Sequence, residues 1–597
     1  MQHLLRAGTG LAGLALAAGA LTLPPAAAES DPGIPGLTAA EQHLLATDDS
    51  VDVADDGTLF AVDAWEPPAE GTTAAGAAED AAGPAVAEAL ADVALADTFA
   101  LHSRPGAART IYLDFDGGGL LGSNSWLLQG LTNLLFGGWS LDGSPFFSDG
   151  EQAIIREVWA RVAEDYSPWD VDVTTQEPPA GALWRGAVSD PTYGARVAFT
   201  NDSAVQAQLC SGGCGGIAWI GTFDAVTAGE TRSPAWVFPN SLGQRAKHMA
   251  EAASHEAGHT LGLSHDGVGS SGYYAGTTLW GPLMGSPYSS AITQWSRGDY
   301  AGANNRQDDL AVIRSHGLPD RTDEAGSTPA TAAALTTLPG SRGVISSPTD
   351  SDWYALTDCT GTLTATATPT TLGPNLDVVL ELRDAGGGRM ASDAPATVRT
   401  STGTINGMGA SLTVPLTDGP YYLAVSGGGS GPGGSSGWGS GGYDGYGSVG
   451  SYQLLMAGCA GGSGVPVPPP TEIPLDPSGP AVPGPGSGSA GQPTSRPGTP
   501  HAPAVRKGVR GGRPSIGVAW TPPTAGGGAI TGYVVKAFRV DARGRVVARR
   551  TSAVLPGTLT GTELVVPRKG RWSVRIKARN DLGWGRFSPR SSAAKAR

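Results

Sequence analysis

The sequence predicts a multidomain chain in which an α/β unit, a mixed twisted sheet with one metal-binding helix, precedes two all-β sandwich units. Three observations carry this expectation. Residues 255–265 read HEAGHTLGLSH behind a series of strand-like segments and a long amphipathic segment; from residue 343 the pattern changes to short alternating strands; and the 90 glycines and 46 prolines mark connectors between the units.

From the N-terminus, Met1 to Ala28 carries Arg6, an apolar run from Leu11 to Leu23, and Ala26 and Ala28 in an A-x-A arrangement, which reads as a secretory signal peptide. No later run is long and apolar enough for a transmembrane helix, so the chain is expected to be secreted and extracellular, with no stable membrane insertion. Residues 29–104 hold 16 Asp and Glu against one basic residue, Arg104. They read as an acidic propeptide, a disordered solubilising leader being the competing reading. The segment has no cysteine and so no thiolate to cap a metal; His102 or an aspartate is the alternative latch.

The α/β unit is placed at 105–320. Thr110 to Phe115 is an apolar strand, and Glu151 to Tyr166 sets Ile154, Ile155, Val158, Val162 and Tyr166 at helical spacing. Val171 to Gln176, the ARVAFT segment, Gly216 to Phe223 and Pro234 to Phe238 follow as strands. The metal-binding helix is expected from about Ser241 to Leu263, and a short last helix near Gln307 to Ser315.

On a helix, residues four apart share a face, so His255 and His259 can direct imidazole nitrogens at one ion. Glu256 follows directly and can reach a water on that ion without being a ligand, as a general base would. Gly262 can take a positive φ and end the helix, which returns His265 as third ligand. Three histidines leave the fourth tetrahedral position open, whereas a structural zinc site closes all four. This chemistry is that of a zinc hydrolase. His248 sits two turns earlier, about 10 Å along the axis, and reads as a packing or surface residue. Zinc peptidases that take a downstream glutamate as third ligand fit poorly, because after Glu256 the next glutamate is Glu324.

The string HExxHxxGxxH with a later methionine resembles the signature of the metzincin zinc endopeptidases, and the wider segment resembles secreted bacterial reprolysin-like metalloproteases over roughly 220 residues. The resemblance implies a methionine turn at Leu283-Met284-Gly285 beneath the imidazoles. It makes Tyr288 a candidate transition-state residue or fifth ligand, although the tyrosine of such families usually lies two positions beyond the methionine and Tyr288 lies four. Asp266 would be structural. The strand bordering the cleft runs antiparallel to bound peptide in metzincins, which makes Gly216 to Phe223 the expected edge strand.

Cysteines 210, 214, 359 and 459 are an even set in an exported chain, so disulfides are expected. Three pairings are open; Cys210-Cys214 would close a small loop and Cys359-Cys459 would bracket the first sandwich. Residues 343–460 alternate as strands, with Leu376, Val378, Leu380 and Leu382 on one face, and resemble a prepeptidase C-terminal domain. In such proteins that module is often dispensable for catalysis. A Gly/Ser insertion at 427–442 reads as a floppy loop. Residues 461–503 read as a Pro/Gly/Ser linker, and 504–597 resemble a fibronectin type III domain in which Trp572 stands in the place of the usual corner tyrosine.

Residues 501–597 carry 20 Lys and Arg against three Asp and Glu, a net of +17, and the rest of the chain is −32. That polarity suits contact with acidic cell-wall polymers or another polyanion. Together these readings predict a secreted zinc endopeptidase acting on proteins or peptides, with Zn2+ as cofactor and calcium (Ca2+) as a further candidate, although no segment matches a calcium loop strictly. The alternative is a surface adhesion or polymer-binding protein with an inactive metzincin-like domain.

Overall fold

The computed structural model describes residues 37–64, 90, 93–458 and 496–596, apart from short stretches at 55, 121, 145, 211–212, 335–339, 357–358, 401–404, 418, 509–513, 525–528, 541–545, 553–554, 558, 567–568 and 581–582. The signal-peptide segment, residues 65–89, Cys459 and most of the 461–503 linker lie outside the described residues.

A seven-stranded mixed sheet organises the N-terminal unit. Its elements in chain order are α1 (Ala39–Thr47), β1 (Val51–Val53), β2 (Leu59–Ala64), β3 (Arg109–Asp114), α2 (Asp149–Asp165), β4 (Asp172–Thr174), β5 (Tyr193–Phe199), α3 (Ser203–Leu209), β6 (Cys214–Trp219), β7 (Ala235–Val237) and α4 (Ala246–Thr260). Two short parallel strands, β8 (Trp280–Pro282) and β9 (Ile292–Gln294), and helix α5 (Asp309–Ser315) complete it. The strand order is β1-β2-β6-β7-β5-β3-β4. Strands β7, β5, β3 and β4 run parallel, while β6 is antiparallel to β7.

Helix α2 starts at a capping box, in which Ser148 and Glu151 satisfy each other's backbone amides, and it buries Ile155, Val158 and Val162. Helix α4 packs beside it. Its small residues Ala250, Ala253, Ala257 and Gly258 let it sink into the core, and the whole helix except Lys247 is buried. The helix begins five residues later than the expected Ser241, because Gly243 (φ 67°) and Gln244 (φ 58°) are left-handed and Arg245 is extended. At its other end Gly262 takes φ 86°. A Cβ there would meet His316 at 2.6 Å, so the turn requires glycine twice over.

The boundary read at residue 104 is not a packing boundary. Leu101 lies in the same core as α2 and α4, and the Leu101 amide donates to Thr175 Oγ1 (3.1 Å).

The first sandwich faces a five-stranded sheet against a four-stranded one. Its main strands are β10 (Gly340–Ile345), β11 (Ser351–Leu356), β12 (Gly361–Pro369), β13 (Val378–Arg383), β14 (Arg389–Asp393), β15 (Ala410–Leu416), β16 (Tyr421–Gly427) and β17 (Gly450–Ala457). Leu376, Val378, Leu380 and Leu382 are all fully buried on the shared face. The Gly/Ser segment after β16 is not the expected floppy loop. Ser430 and Tyr443 are buried, the Gly429 and Gly437 amides donate to Gly434 and Tyr443 carbonyls, and Trp438 packs on Trp280 at 4.9 Å. Its glycines serve close approach: a Cβ on Gly437 or Gly442 would fall within 1.9 Å of Ser430 Oγ.

The C-terminal unit is also a sandwich, with a three-stranded sheet centred on Ser515–Ala519 against a larger one around Gly532–Val540 and Gly570–Asn580. Trp520, Tyr533 and Trp572 fill its core. No helix among the described residues is long and apolar enough to cross a membrane.

Candidate active site

Helix α4 and the turn after it bring the three histidines together. The ring centroids of His255 and His259 are 4.7 Å apart, and those of His259 and His265 are also 4.7 Å apart. Each imidazole is oriented through Nδ1. His255 Nδ1–H donates to the Leu283 carbonyl (2.8 Å) and His259 Nδ1–H to the Leu263 carbonyl (2.8 Å), while His265 Nδ1 faces Asp48 Oδ2 (2.7 Å). A carbonyl only accepts, so those bonds fix the tautomer and turn the Nε2 lone pairs inward. The buried Nε2 of His255 has no hydrogen-bond partner. One ligand atom from each of Asp63, His255, His259 and His265 lies within 4.8 Å of the others. Three neutral nitrogens and a carboxylate are a donor set that zinc accepts in tetrahedral geometry, so the residues present fit the ion.

Glu256 points from the same helix turn toward β6, which is paired with β2 on one side and β7 on the other and so is not the edge strand expected of Gly216 to Phe223. A Cβ at Gly216 would lie 1.7 Å from Glu256 Oε1, so this strand position is open to the carboxylate only as glycine. Burial, together with the charge of Asp63, pushes the Glu256 carboxyl well above its ordinary range. Asp63 goes the other way: burial opposes its ionisation, but the three imidazoles hold it well below the usual carboxylate range. His265 is raised to about 9 against its own burial by Asp63 and Asp48, which makes this a place where positive charge is favoured.

Met284, the residue expected at a methionine turn, lies against helix α4. Met284 is fully buried, and its sulfur lies 2.8 Å from where a Gly258 Cβ would stand, so it packs against the α4 turn that carries His259. The Met284 carbonyl accepts from the Asp266 amide (2.8 Å), and the Asp266 carbonyl accepts from the Tyr274 amide (2.7 Å). Asp266 is therefore a brace between the third histidine and the turn. Tyr288 packs its ring on His248 (5.3 Å) and sets its hydroxyl beside Gly215. The tyrosine hydroxyl bonded to Asp63 belongs to Tyr273, which donates to Oδ1 (2.9 Å) and lays its ring on His265 at 4.4 Å.

His248 is a packing residue whose Nδ1–H donates to the Leu242 carbonyl (3.1 Å), and burial lowers it to about 3. His102 takes no part in the cluster. It pairs with Asp172 (2.6 Å) and Gln176 (3.1 Å). Cys210 and Cys214 are joined by a disulfide, with Cα atoms 6.0 Å apart, one of the three pairings left open by the sequence. Cys359 is disulfide-bonded as well. Asp323, Asp350 and Asp352 form a second group of neighbouring carboxylates at the start of the first sandwich, which by itself assigns no calcium ion.

Residues 181–266 match the metallo-peptidase family M12B, reprolysin-like. That stretch runs from before β5 to the residue after His265 and contains β6, α4 and all three histidines. The chain thus contains a metzincin-like metallopeptidase domain, and the family implies zinc and protein or peptide substrates. No curated protein matches the chain. Among solved structures, the FN1–FN3 domains of chicken CNTN1 align at 16% identity over 17% of this chain and 33% of that one, with a TM-score of 0.15. The FN5 domain of Drosophila Lar aligns at 21% identity over 17% of this chain and 92% of its own (TM-score 0.13). The pre-peptidase C-terminal domain of Bacillus anthracis collagenase aligns at 14% identity, over 23% of this chain and 99% of its own (TM-score 0.14).

Sequence reasoning missed Asp48, Ser50, Asp63 and Tyr273. The three N-terminal residues come from a segment some 200 positions before the histidines, and no local spacing signals them. Tyr273 stands eight residues after His265 beside a second tyrosine, a weak cue without the fold.

Proposed function

We propose that this chain is a secreted zinc-dependent endopeptidase, with His255, His259 and His265 as ligands and Glu256 as general base. The observation that carries the reading is the inward set of Nε2 atoms, two of them locked by Nδ1 bonds to backbone carbonyls, with the Glu256 carboxylate one residue along the same helix. When bound, zinc lowers the pKa of a ligated water to about 7 and polarises the scissile carbonyl. Glu256 accepts the water's proton and returns it to the departing amine; its raised affinity for protons suits the second half of that task. Strand β6 is paired with β7 on one edge and β2 on the other, so an extended peptide would pair with it in the place that β2 holds. Met284 supports the α4 turn from below, and the amide of Asp266 ties that support to the third histidine.

The test is casein or gelatin hydrolysis by protein processed at its N-terminus by limited proteolysis. Hydrolysis is expected to stop with chelator and to fall about 10²- to 10⁴-fold in Glu256→Ala. Equal inactivity of wild type and variant across varied substrates would favour a binding protein with an inert domain. Recovery of the chain from the culture medium, starting downstream of Ala28, tests export.

A further inference from the structure

The first sandwich reaches the histidine cluster through one residue. Asn375, just before β13, is 2% exposed and sits at the junction with the histidine-bearing unit. Two lines of hydrogen bonds run from it to either side of His255.

The first line starts at the Asn375 main chain. Its carbonyl accepts from Nε2 of Gln294, the last residue of β9, and Gln294 Oε1 accepts from Trp280 Nε1 (2.9 Å). A carbonyl only accepts and an indole N–H only donates, so the buried Gln294 carboxamide has one orientation. The Gln294 carbonyl accepts from the Leu283 amide (2.9 Å), and the Leu283 carbonyl is the group that takes the proton of His255 Nδ1 (2.8 Å). Gly447 lets the sandwich close on this point: a Cβ there would lie 2.5 Å from the Trp295 carbonyl oxygen and 2.8 Å from Gln294 Cβ.

The second line starts at the Asn375 side chain. Nδ2–H donates to Asp165 Oδ1 (2.9 Å), and Asp165 Oδ2 accepts from the hydroxyl of Ser254 (2.6 Å), the residue before His255 on α4. The Ser254 carbonyl accepts from the Tyr166 hydroxyl (2.8 Å), so this turn of α4 is held by side chain and main chain together. Gln294, Asp165 and Ser254 are all buried, where a lost partner is costly because water does not replace it. His259 is oriented without the sandwich, because the Leu263 carbonyl that holds its Nδ1–H belongs to its own helix end.

Resting on the zinc site of the peptidase reading, we propose that Asn375 and Gln294 are positioning residues that set His255 as a ligand from the first sandwich, so that the metal centre is complete only with that sandwich in place. Neither residue touches the ion or the reacting atoms. Outer partners of a zinc-binding imidazole fix its ring and its basicity, and losing one costs roughly 10- to 100-fold in metal affinity.

The experiment compares the full chain as wild type, Gln294→Met, Asn375→Ala and Tyr446→Phe. Asn375→Ala keeps the backbone carbonyl and so serves if Gln294→Met does not fold. Tyr446→Phe removes a hydroxyl bond at the same junction that leads nowhere near His255. Cobalt(II) titration reads metal affinity, and the ring-nitrogen proton signals of isotope-labelled histidines in metal-free protein read how firmly each imidazole is held. All three variants are expected to lower the melting temperature. Only Gln294→Met and Asn375→Ala are expected to weaken cobalt binding, by roughly 10- to 100-fold, and to speed exchange of the His255 Nδ1 proton while that of His259 stays put. Wild-type cobalt affinity and His255 exchange in both variants, or equal shifts at His259 and in Tyr446→Phe, would overturn the proposal. The expected pattern with no casein cleavage by any form, wild type included, would leave the positioning role standing and remove the peptidase reading instead.

Discussion

The two β-sandwiches share an architecture and differ in how they relate to the catalytic unit. The first is built into it. Asn375 Nδ2–H donates to the buried Asp165 (2.9 Å), the Ser451 amide donates to the buried Glu164 (2.9 Å), and Tyr446 bridges α5 by donating to Asp308 (2.7 Å) and accepting from the Leu310 amide (3.1 Å). Tyr446 and Val449 belong to the same hydrophobic core as Met249 and Met284. The C-terminal sandwich has a core of its own around Trp520, Tyr533 and Trp572, and a strong positive charge. Shared architecture thus says little about shared role: one sandwich shares a core with the histidine-bearing unit, and the other has a core of its own.

The sharpest way to break this comparison is deletion. Removing residues 326–458 should abolish soluble, folded catalytic unit, because it strips the partners of Glu164, Asp165 and the β8–β9 aromatic cluster. Removing 496–597 should leave casein cleavage and the melting transition of the remainder unchanged, as read by circular dichroism. The dispensability implied by resemblance for the first sandwich would then be the wrong expectation here.

Chelation should come next in size. Taking zinc from the histidine site should lower the stability of the catalytic transition by about 4 kcal/mol or more and leave the C-terminal sandwich transition in place, as seen by calorimetry with and without chelator. Asn375→Ala should cost about 1–3 kcal/mol, since it leaves the buried Asp165 oxygen without its donor. Denaturant unfolding of the full chain measures this, and the C-terminal transition should not move.

A pH series sharpens the contrast further. Burial raises Glu164 to about 8 and Asp165 to about 7, from ordinary values of 4.5 and 3.8. The folded form therefore keeps protons that the unfolded chain gives up. This contribution is complete below about pH 4 and is lost as pH rises toward 8. Glu164→Gln should flatten that fall, with a gain in melting temperature on the order of 5 °C at pH 8 that vanishes at pH 4. The smallest effect is binding without any stability change. The isolated C-terminal sandwich should be retained on heparin at low salt and released as salt rises, and no retention at low salt would remove the polyanion expectation.

How much of this was legible in the sequence depended on distance along the chain. His255, Glu256, His259, Gly262 and His265 are within one helix and its turn, so helical geometry alone places them, and the structure keeps them together. Met284 was readable because a methionine in a Gly/Pro-rich stretch is unusual there. The start of α4 was misread because an apolar pattern says nothing of the left-handed Gly243 and Gln244. Residues 427–442 were misread because composition suggests a linker, whereas Trp438 and the following Tyr443 and Tyr446 act as anchors between glycines that let backbones touch. Asp63 was the least accessible: its role depends on strand pairing with β6 across about 150 residues, and one aspartate among 16 acidic residues carries no mark.

The bare hydrogen at Gly216 has one more implication. The space a side chain would take is filled by the Glu256 carboxylate, so a larger residue there would push that carboxylate off its place beside the histidines. An engineer working on this region should therefore leave position 216 as glycine and make changes on either side of it.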